Sequence, residues 1–263
     1  MSSAHGCGDA VLEQRIGPHV LLVTLNRPEK RNALDVRMSH ALGDMVRRSE
    51  RDETIRAVVL TGAGDKCFCA GADLADIAAG RGADIAVGNA GLGGLVFAER
   101  SKPWIAAVRG LALGGGMELA LACDMIVAAD DAAFGLPEVK RGLIAAAGGV
   151  FRIARCLPRS LALELLSTGE PISASAAHSH GMVNRLVPGD EAVACAIGLA
   201  EKIASNSPAA VRESLAIARI ANEQGETELR ALMDLACERV VTSEDAMEGM
   251  KAFLEGRAPC WSS

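Results

Sequence analysis

Across 263 residues the chain is half hydrophobic, only 3% aromatic, and carries a formal net charge of −6. That length allows one large domain or two small ones, with a core built from Ala, Val, Leu and Ile. The acidic balance and the scattered Lys and Arg argue against a nucleic-acid binder, which would show a basic patch or stripe, and no run approaches the ~20 apolar residues that span a bilayer.

The chain starts with a short polar stretch, Met1 to Asp9, that carries no apolar export signal. Val20 to Leu25 is a strand candidate, stopped by Asn26-Arg27-Pro28. Asp35 to Arg48 has helical spacing, with Asp35 as N-cap. Ala57 to Thr61 is a nearly all-apolar strand closed by Gly62-Ala63-Gly64-Asp65. Asp84 to Arg100 is expected to be helical despite its glycines. Trp104 to Val108 and Met125 to Ala129 are further buried strands. Strands alternating with helices predict an α/β core with largely parallel pairing.

After residue 190 the pattern becomes helical. Glu191 to Ser205 has helical spacing, Ser207-Pro208 opens the next helix with a cap and a first-position proline, and Glu226 to Val241 follows. Ser243 caps a last helix with acids in its first turn. Leu229, Leu232, Met233, Leu235, Ala236 and Val240 form apolar faces that must bury against the core or another subunit. The expected organisation is a core over 1–190 with a helical extension over 191–263 that shares its domain. No linker and no fixed-period repeat separates the two.

Eight cysteines are present. Cys67-Phe68-Cys69 is tighter than the C-x-x-C of a zinc site. Cys123, Cys156, Cys195 and Cys237 sit in apolar runs, and most of the cysteines read as small core residues of a reducing compartment. A soluble, cytoplasmic protein without metal is expected. His178-Ser179-His180 lacks a nearby third ligand and reads as helix surface. No G-x-S-x-G elbow is present to suggest a serine hydrolase.

The densest chemistry lies between Lys102 and Glu138. A strand leads into Gly114-Gly115-Gly116-Met117-Glu118, and a second carboxylate follows in Phe134-Gly135-Leu136-Pro137-Glu138. The three glycines are either a plain tight turn or a turn that offers backbone N–H groups to a developing oxyanion. Their spacing matches neither a dinucleotide fingerprint nor a P-loop. Glu118 is either a first-turn acid complementing a helix dipole or a proton-transfer group beside the turn. Glu138 is either a solvated loop acid or its partner. Upstream, Ala70-Gly71-Ala72-Asp73-Leu74 is a second glycine turn between a strand and a helix.

In order along the chain, these segments resemble the crotonase superfamily, the enoyl-CoA hydratases and isomerases. The resemblance runs from about Val20 to Leu254. It rests on Asn26-Arg27-Pro28-Glu29-Lys30-Arg31-Asn32-Ala33-Leu34, Phe68 to Leu74, Lys102 to Asp124, Phe134 to Glu138, and Gly181-Met182-Val183-Asn184. It implies a spiral of β-β-α turns with a C-terminal helical trimerisation region, in homotrimers often paired into hexamers. It implies an oxyanion hole from the N–H groups of Ala72 and Gly115, and catalytic carboxyls at Glu118 and Glu138. Lys30 and the backbone around Ala70, Asp73 and Leu74 would lie near the nucleotide of an acyl-CoA substrate, with Gly114 and Ala146 also lining the site. Coenzyme A would enter as part of the substrate, with no separate cofactor and no nucleic-acid or membrane partner.

The implied reaction is addition of water across the 2,3 double bond of a 2-enoyl-CoA. The alternatives are double-bond isomerisation, dehydration of a carnitinyl-type thioester, and non-catalytic acyl-CoA binding. Family isomerases often lack the first glutamate, so Glu118 beside Glu138 favours hydration chemistry. One departure stands out. Hydratases carry Pro-Gly-x-Gly-Gly-Thr after the second glutamate, where this chain has Ala145-Ala146-Ala147-Gly148-Gly149-Val150. Gly148 and Gly149 keep the helix start, and Ala146 still offers its N–H. The added methyl is expected to alter the acyl group admitted.

Overall fold

The computed structural model describes residues 9–262. The first eight residues of the polar start, read above as carrying no export signal, lie outside the described residues. An antiparallel hairpin, β1 (Val11–Ile16) and β2 (Val20–Leu25), opens the chain. Helix α1 (Val36–Arg51) follows, and the Asp35 side chain caps it by accepting from Met38 N at 2.7 Å. Met38, Leu42, Met45 and Val46 recur at helical spacing and form its buried face.

Three β-β units then wind in the same sense. The first is β3 (Ala57–Gly62) and β4 (Cys67–Cys69), followed by helix α2 (Leu74–Ala78). The second is β5 (Trp104–Val108) and β6 (Leu111–Leu113), followed by helix α3 (Gly115–Ala122). The third is β7 (Met125–Ala129) and β8 (Ala133–Gly135), followed by a 3-10 turn at Pro137–Arg141. Each unit adds one parallel strand to each of two sheets. The six-stranded sheet runs β1-β2-β3-β5-β7-β10 and the four-stranded sheet β4-β6-β8-β9, where β9 is Ile172–Ser173 and β10 is Arg185–Val187. This is the expected spiral. Strands β3 and β5 bury every one of their apolar side chains, as parallel strands covered on both faces do.

Helices α4 (Gly149–Cys156), α5 (Arg159–Thr168) and α6 (Ala174–Ser179) complete the core. Helix α7 (Ala192–Ala204) lies across the six-stranded sheet, where Ala196, Ala200 and Ala204 meet Val59, Ile105 and Ala107. Its alanine stripe lets the helix approach the sheet closely. Helix α8 (Pro208–Ile220) is tied back by Arg219, whose guanidinium donates to both Asp124 carboxylate oxygens at 2.7 and 2.9 Å. Helices α9 (Glu226–Val241) and α10 (Glu244–Glu255) leave apolar side chains uncovered, with Phe253 87% and Leu254 84% exposed. Among the described residues the cysteines are unpaired, no group of His, Cys, Asp and Glu could hold a metal, and no helix is long and apolar enough to cross a membrane.

The segment 84–100 corrects the sequence expectation. In place of a helix it forms two 3-10 turns, Gly82–Ile85 and Gly88–Ala90, and then an irregular wrap. Gly88, Gly91, Gly93 and Gly94 all take positive φ, which a right-handed helix excludes. The wrap needs bare backbone, since a Cβ on Gly94 would stand 2.5 Å from the Gly43 Cα of α1.

Asn32 holds the entry to the first unit. It is fully buried with φ of 52°. Its amide accepts from Arg27 N at 3.0 Å and donates to the Ala63 and Cys67 carbonyls at 3.0 and 2.8 Å. Asn32→Ala strands these buried groups and is expected to cost about 3 kcal/mol, read as a lowered urea midpoint with an unchanged slope.

Candidate active site

Strands β4, β6 and β8 lie side by side and parallel. Their carboxyl ends therefore open at one edge, where ligands of parallel sheets bind. Each end delivers one part of the expected constellation. After β4 comes Gly71-Ala72, after β6 comes Gly114-Gly115, and after β8 comes Pro137-Glu138.

The two glycine turns meet. A Cβ on Gly71 would lie 2.8 Å from Gly115 N, and one on Gly115 would lie 3.4 Å from Ala72 N. Gly71, at φ of 92°, is held because its carbonyl accepts from Leu34 N at 2.8 Å. Asp73 N in turn donates to the Leu34 carbonyl at 2.9 Å. Ala72 sits between these bonds, and neither Ala72 N nor Gly115 N donates to a backbone acceptor among the described residues. Gly115 is also the first residue of α3, where the helix dipole is positive. Two backbone N–H groups from separate turns thus lie close together.

Glu118 lies one turn into α3, 3% exposed, and its Oε1 accepts from Gly149 N at 2.8 Å. Burial, reinforced by the charge of Glu138, pushes its carboxyl up to about 7, against the pull of the Gly149 and Ala147 N–H groups and Arg152. Burial also raises Glu138, whose Oε2 is enclosed with no hydrogen-bond partner among the described residues. A Cβ on Gly114 would stand 3.0 Å from Glu138 Oε1, and one on Gly149 3.0 Å from Glu118 Oε1. Glycines at these two places let the carboxyls lie against bare backbone. Two acids with raised affinity for protons, beside two N–H donors, can exchange protons with a molecule held between them.

These groups line one open cleft of about 500 Å³. It brings together Glu118, Glu138, Ala72, Gly115, Lys30, Ala70, Asp73, Leu74, Gly114 and Ala146, the ten site residues expected from the sequence. The Asp73 side chain is already engaged, since it caps α2 through Ala75 N at 3.0 Å and pairs with Arg27 at 3.3 Å. Its backbone is engaged as well, since Asp73 N donates to the Leu34 carbonyl and the Asp73 carbonyl accepts from Asp76 N and Ile77 N, both at 3.1 Å. The sequence reading missed Leu92, Ile77, Leu143 and Ile144, which form apolar wall, and Arg31 and Arg141, which add positive charge. The crowding of glycines at 88–94 was the available sign that Leu92 sits on a wrap. The role of Gly149 as a donor to Glu118 also escaped it, because the two are 31 positions apart. His178 stands elsewhere, with its Nδ1 at 2.8 Å from the Val183 carbonyl at the end of α6.

The sequence model described as enoyl-CoA hydratase/isomerase matches residues 15–263. A carnitinyl-CoA dehydratase of Proteus mirabilis is 41% identical over 247 residues, covering 92% of this chain and 94% of that protein. The crystal structure of an enoyl-CoA hydratase from Mycobacterium tuberculosis superposes with a TM-score of 0.93 at 41% identity, covering 97% of this chain and 99% of the other. A carnitinyl-CoA hydratase structure from Mycobacterium avium is 45% identical with a TM-score of 0.75, over 97% and 99% of the two chains.

The buried Glu118 has a consequence for stability. With its folded pKa raised from 4.5 to about 7, the native state holds a proton that the unfolded chain releases. Stability therefore falls as pH rises from 4.5 to 7, by as much as about 3 kcal/mol for this group. Glu118→Gln keeps an oxygen for Gly149 N and removes the titration. Urea unfolding against pH is expected to show the variant gaining on the parent across that window; parallel curves would contradict it.

Proposed function

The chain belongs to the enoyl-CoA hydratase/isomerase family, and from that premise we propose that it is a hydro-lyase, adding water across the 2,3 double bond of a 2-enoyl-CoA. The observation that carries this reading is the meeting of the Ala72 and Gly115 N–H groups beside two buried carboxyls in one cleft. The thioester carbonyl accepts from both N–H groups, so the enolate formed at the transition state is stabilised by preorganised donors. Each such donor typically contributes ~2.7–4 kcal/mol.

A water lies between the two acids. Glu118, held as a carboxylate acceptor by Gly149 N, takes a proton from it while the oxygen bonds to C3. Glu138, with a free enclosed oxygen, delivers a proton to C2. The proton gained by Glu118 resets the pair when it passes to Glu138, and the reverse sequence removes water from a 3-hydroxyacyl-CoA. Backbone donors and two carboxyls suffice for this cycle, so no resident cofactor is invoked. Lys30 and Arg31 stand at the same cleft and suit the phosphates of coenzyme A.

The acyl group is proposed to be an alkyl chain. Leu92, Leu143, Ile144, Ala146 and Ala147 offer it an apolar wall. The carnitinyl names of the relatives favour a second reading, a thioester carrying a quaternary ammonium. Among the described residues no aromatic ring lines the cleft to receive such a cation, and Arg141 adds a like charge. The uncovered Met247, Met250, Phe253 and Leu254 on α10 support assembly as a trimer or a pair of trimers.

Loss of enoyl absorbance is expected with crotonyl-CoA and longer alkyl homologues, faster than with the trimethylammonio-crotonyl thioester; the reverse preference would overturn the alkyl assignment. Glu118→Gln and Glu138→Gln are each expected to lower kcat by roughly 10²-fold or more, with thioester Kd within about threefold of the parent. Parental rates in both variants would remove the carboxyls from the mechanism. Light scattering is expected to return a trimer or hexamer mass, and a monomer would contradict the assembly.

A further inference from the structure

Arg152 is a half-buried cation behind the cleft that the mechanism above does not use. It stands on α4, one turn past Gly149, whose N–H reaches Glu118. Its Nη1 donates to the Ala147 carbonyl at 3.1 Å, and its Nη2 donates to the Val96 carbonyl. The guanidinium carbon lies 5.4 Å from the Phe97 ring centre and 5.1 Å from that of Phe151. Gly148, at φ of 98°, leaves room for it, since a Cβ there would meet Nη1 at 2.2 Å. Ala147 belongs to the segment that carries the N–H groups facing Glu118, and Val96 lies in the wrap that carries Leu92. One side chain therefore joins both loops that flank the carboxyl.

We propose that Arg152 positions Glu118, by tying the Ala147 and Val96 segments together and setting a positive charge behind the carboxylate. The inference rests on the reading of Glu118 as a reacting carboxyl. An Arg is suited to the task because its planar fork serves two carbonyls at once and stacks on aromatic faces. The titratable groups around the pair are few. Glu138 faces Glu118 from the third β-β unit, and Arg100, Arg155 and Cys123 surround Arg152. Burial and the nearby guanidiniums lower the Arg152 pKa, and Glu118 opposes them. Arg152 thus favours the ionised form of Glu118 while Glu138 and burial oppose it.

The test uses the full-length enzyme and reads Glu118 directly, by carbon NMR titration of labelled glutamate carboxyls, with the signal assigned by its loss in Glu118→Gln. In Arg152→Met the Glu118 midpoint is expected to move to higher pH by about one pH unit. The kcat limb that needs ionised Glu118 moves with it, and kcat at neutral pH falls about tenfold while KM stays within about twofold. Arg152→Lys keeps the charge but not the fork. It is expected to leave the midpoint near the parental value and still lower kcat. An unmoved midpoint in folded Arg152→Met overturns the proposal. Should that variant not fold, parental kcat and midpoint in Arg152→Lys overturn it. Full activity in Glu118→Gln would instead overturn the hydratase reading, while the titration would still decide whether Arg152 acts on Glu118.

Discussion

Everything at the cleft depends on the approach of Gly71 to Gly115, two backbone turns so close that a methyl group on Gly71 would stand 2.8 Å from Gly115 N. The contact puts the N–H of Ala72 next to that of Gly115. It is possible because β4 and β6 are parallel neighbours that end at the same level. A Leu34 bridge clamps the first turn from outside, and Gly116 packs against the Cys69 carbonyl from beneath, so neither turn can back away. In the proposed reaction, a donor pair set this rigidly needs no reorganisation when charge develops beside it.

The second constraint is electrostatic. Two carboxyls are withdrawn from water within one cleft, and burial raises both. The arrangement opposes stability at neutral pH, as charged groups without full solvation do. Local devices make it tolerable. The start of α4 directs Gly149 N onto Glu118, and Gly114 and Gly149 give the carboxyls bare backbone to lie against. Arg152 ties the surrounding loops and supplies a compensating charge. The site thus concentrates its cost where function needs it, while alanine-rich packing of α7 on the sheet and the Arg219–Asp124 pair secure the rest.

Local rules worked where local physics decides. Val20–Leu25, Trp104–Val108, Met125–Ala129 and Glu226–Val241 are bounded in the fold as the apolar runs and turn residues indicated. Caps at Asp35, Ser207 and Ser243 each bond the expected backbone N–H. The rule failed over 84–100, where apolar residues at helical spacing outweighed the glycines. The glycines decided it, because Gly88, Gly91, Gly93 and Gly94 take positive φ and Gly94 packs against Gly43 of α1. The spiral repeat also left no period in the chain. Its first two turns begin at Ala57 and Trp104, 47 residues apart, but the third begins at Met125, only 21 further on.

By itself the sequence determined the alternation of strands and helices, the two glycine turns, the two glutamates and, through their order, the family. Those are properties of short windows, where backbone freedom, capping and hydrophobic pattern suffice. Only the tertiary structure decided that Gly71 touches Gly115, that Gly149 donates to Glu118, and that Leu92, Ile144 and Arg152 surround the acids. The reason is distance along the chain. These contacts join segments far apart in the chain, brought together by strand pairing and by the packing of α4 against α3, and the burial that raises the carboxyls exists only once those elements have closed over them.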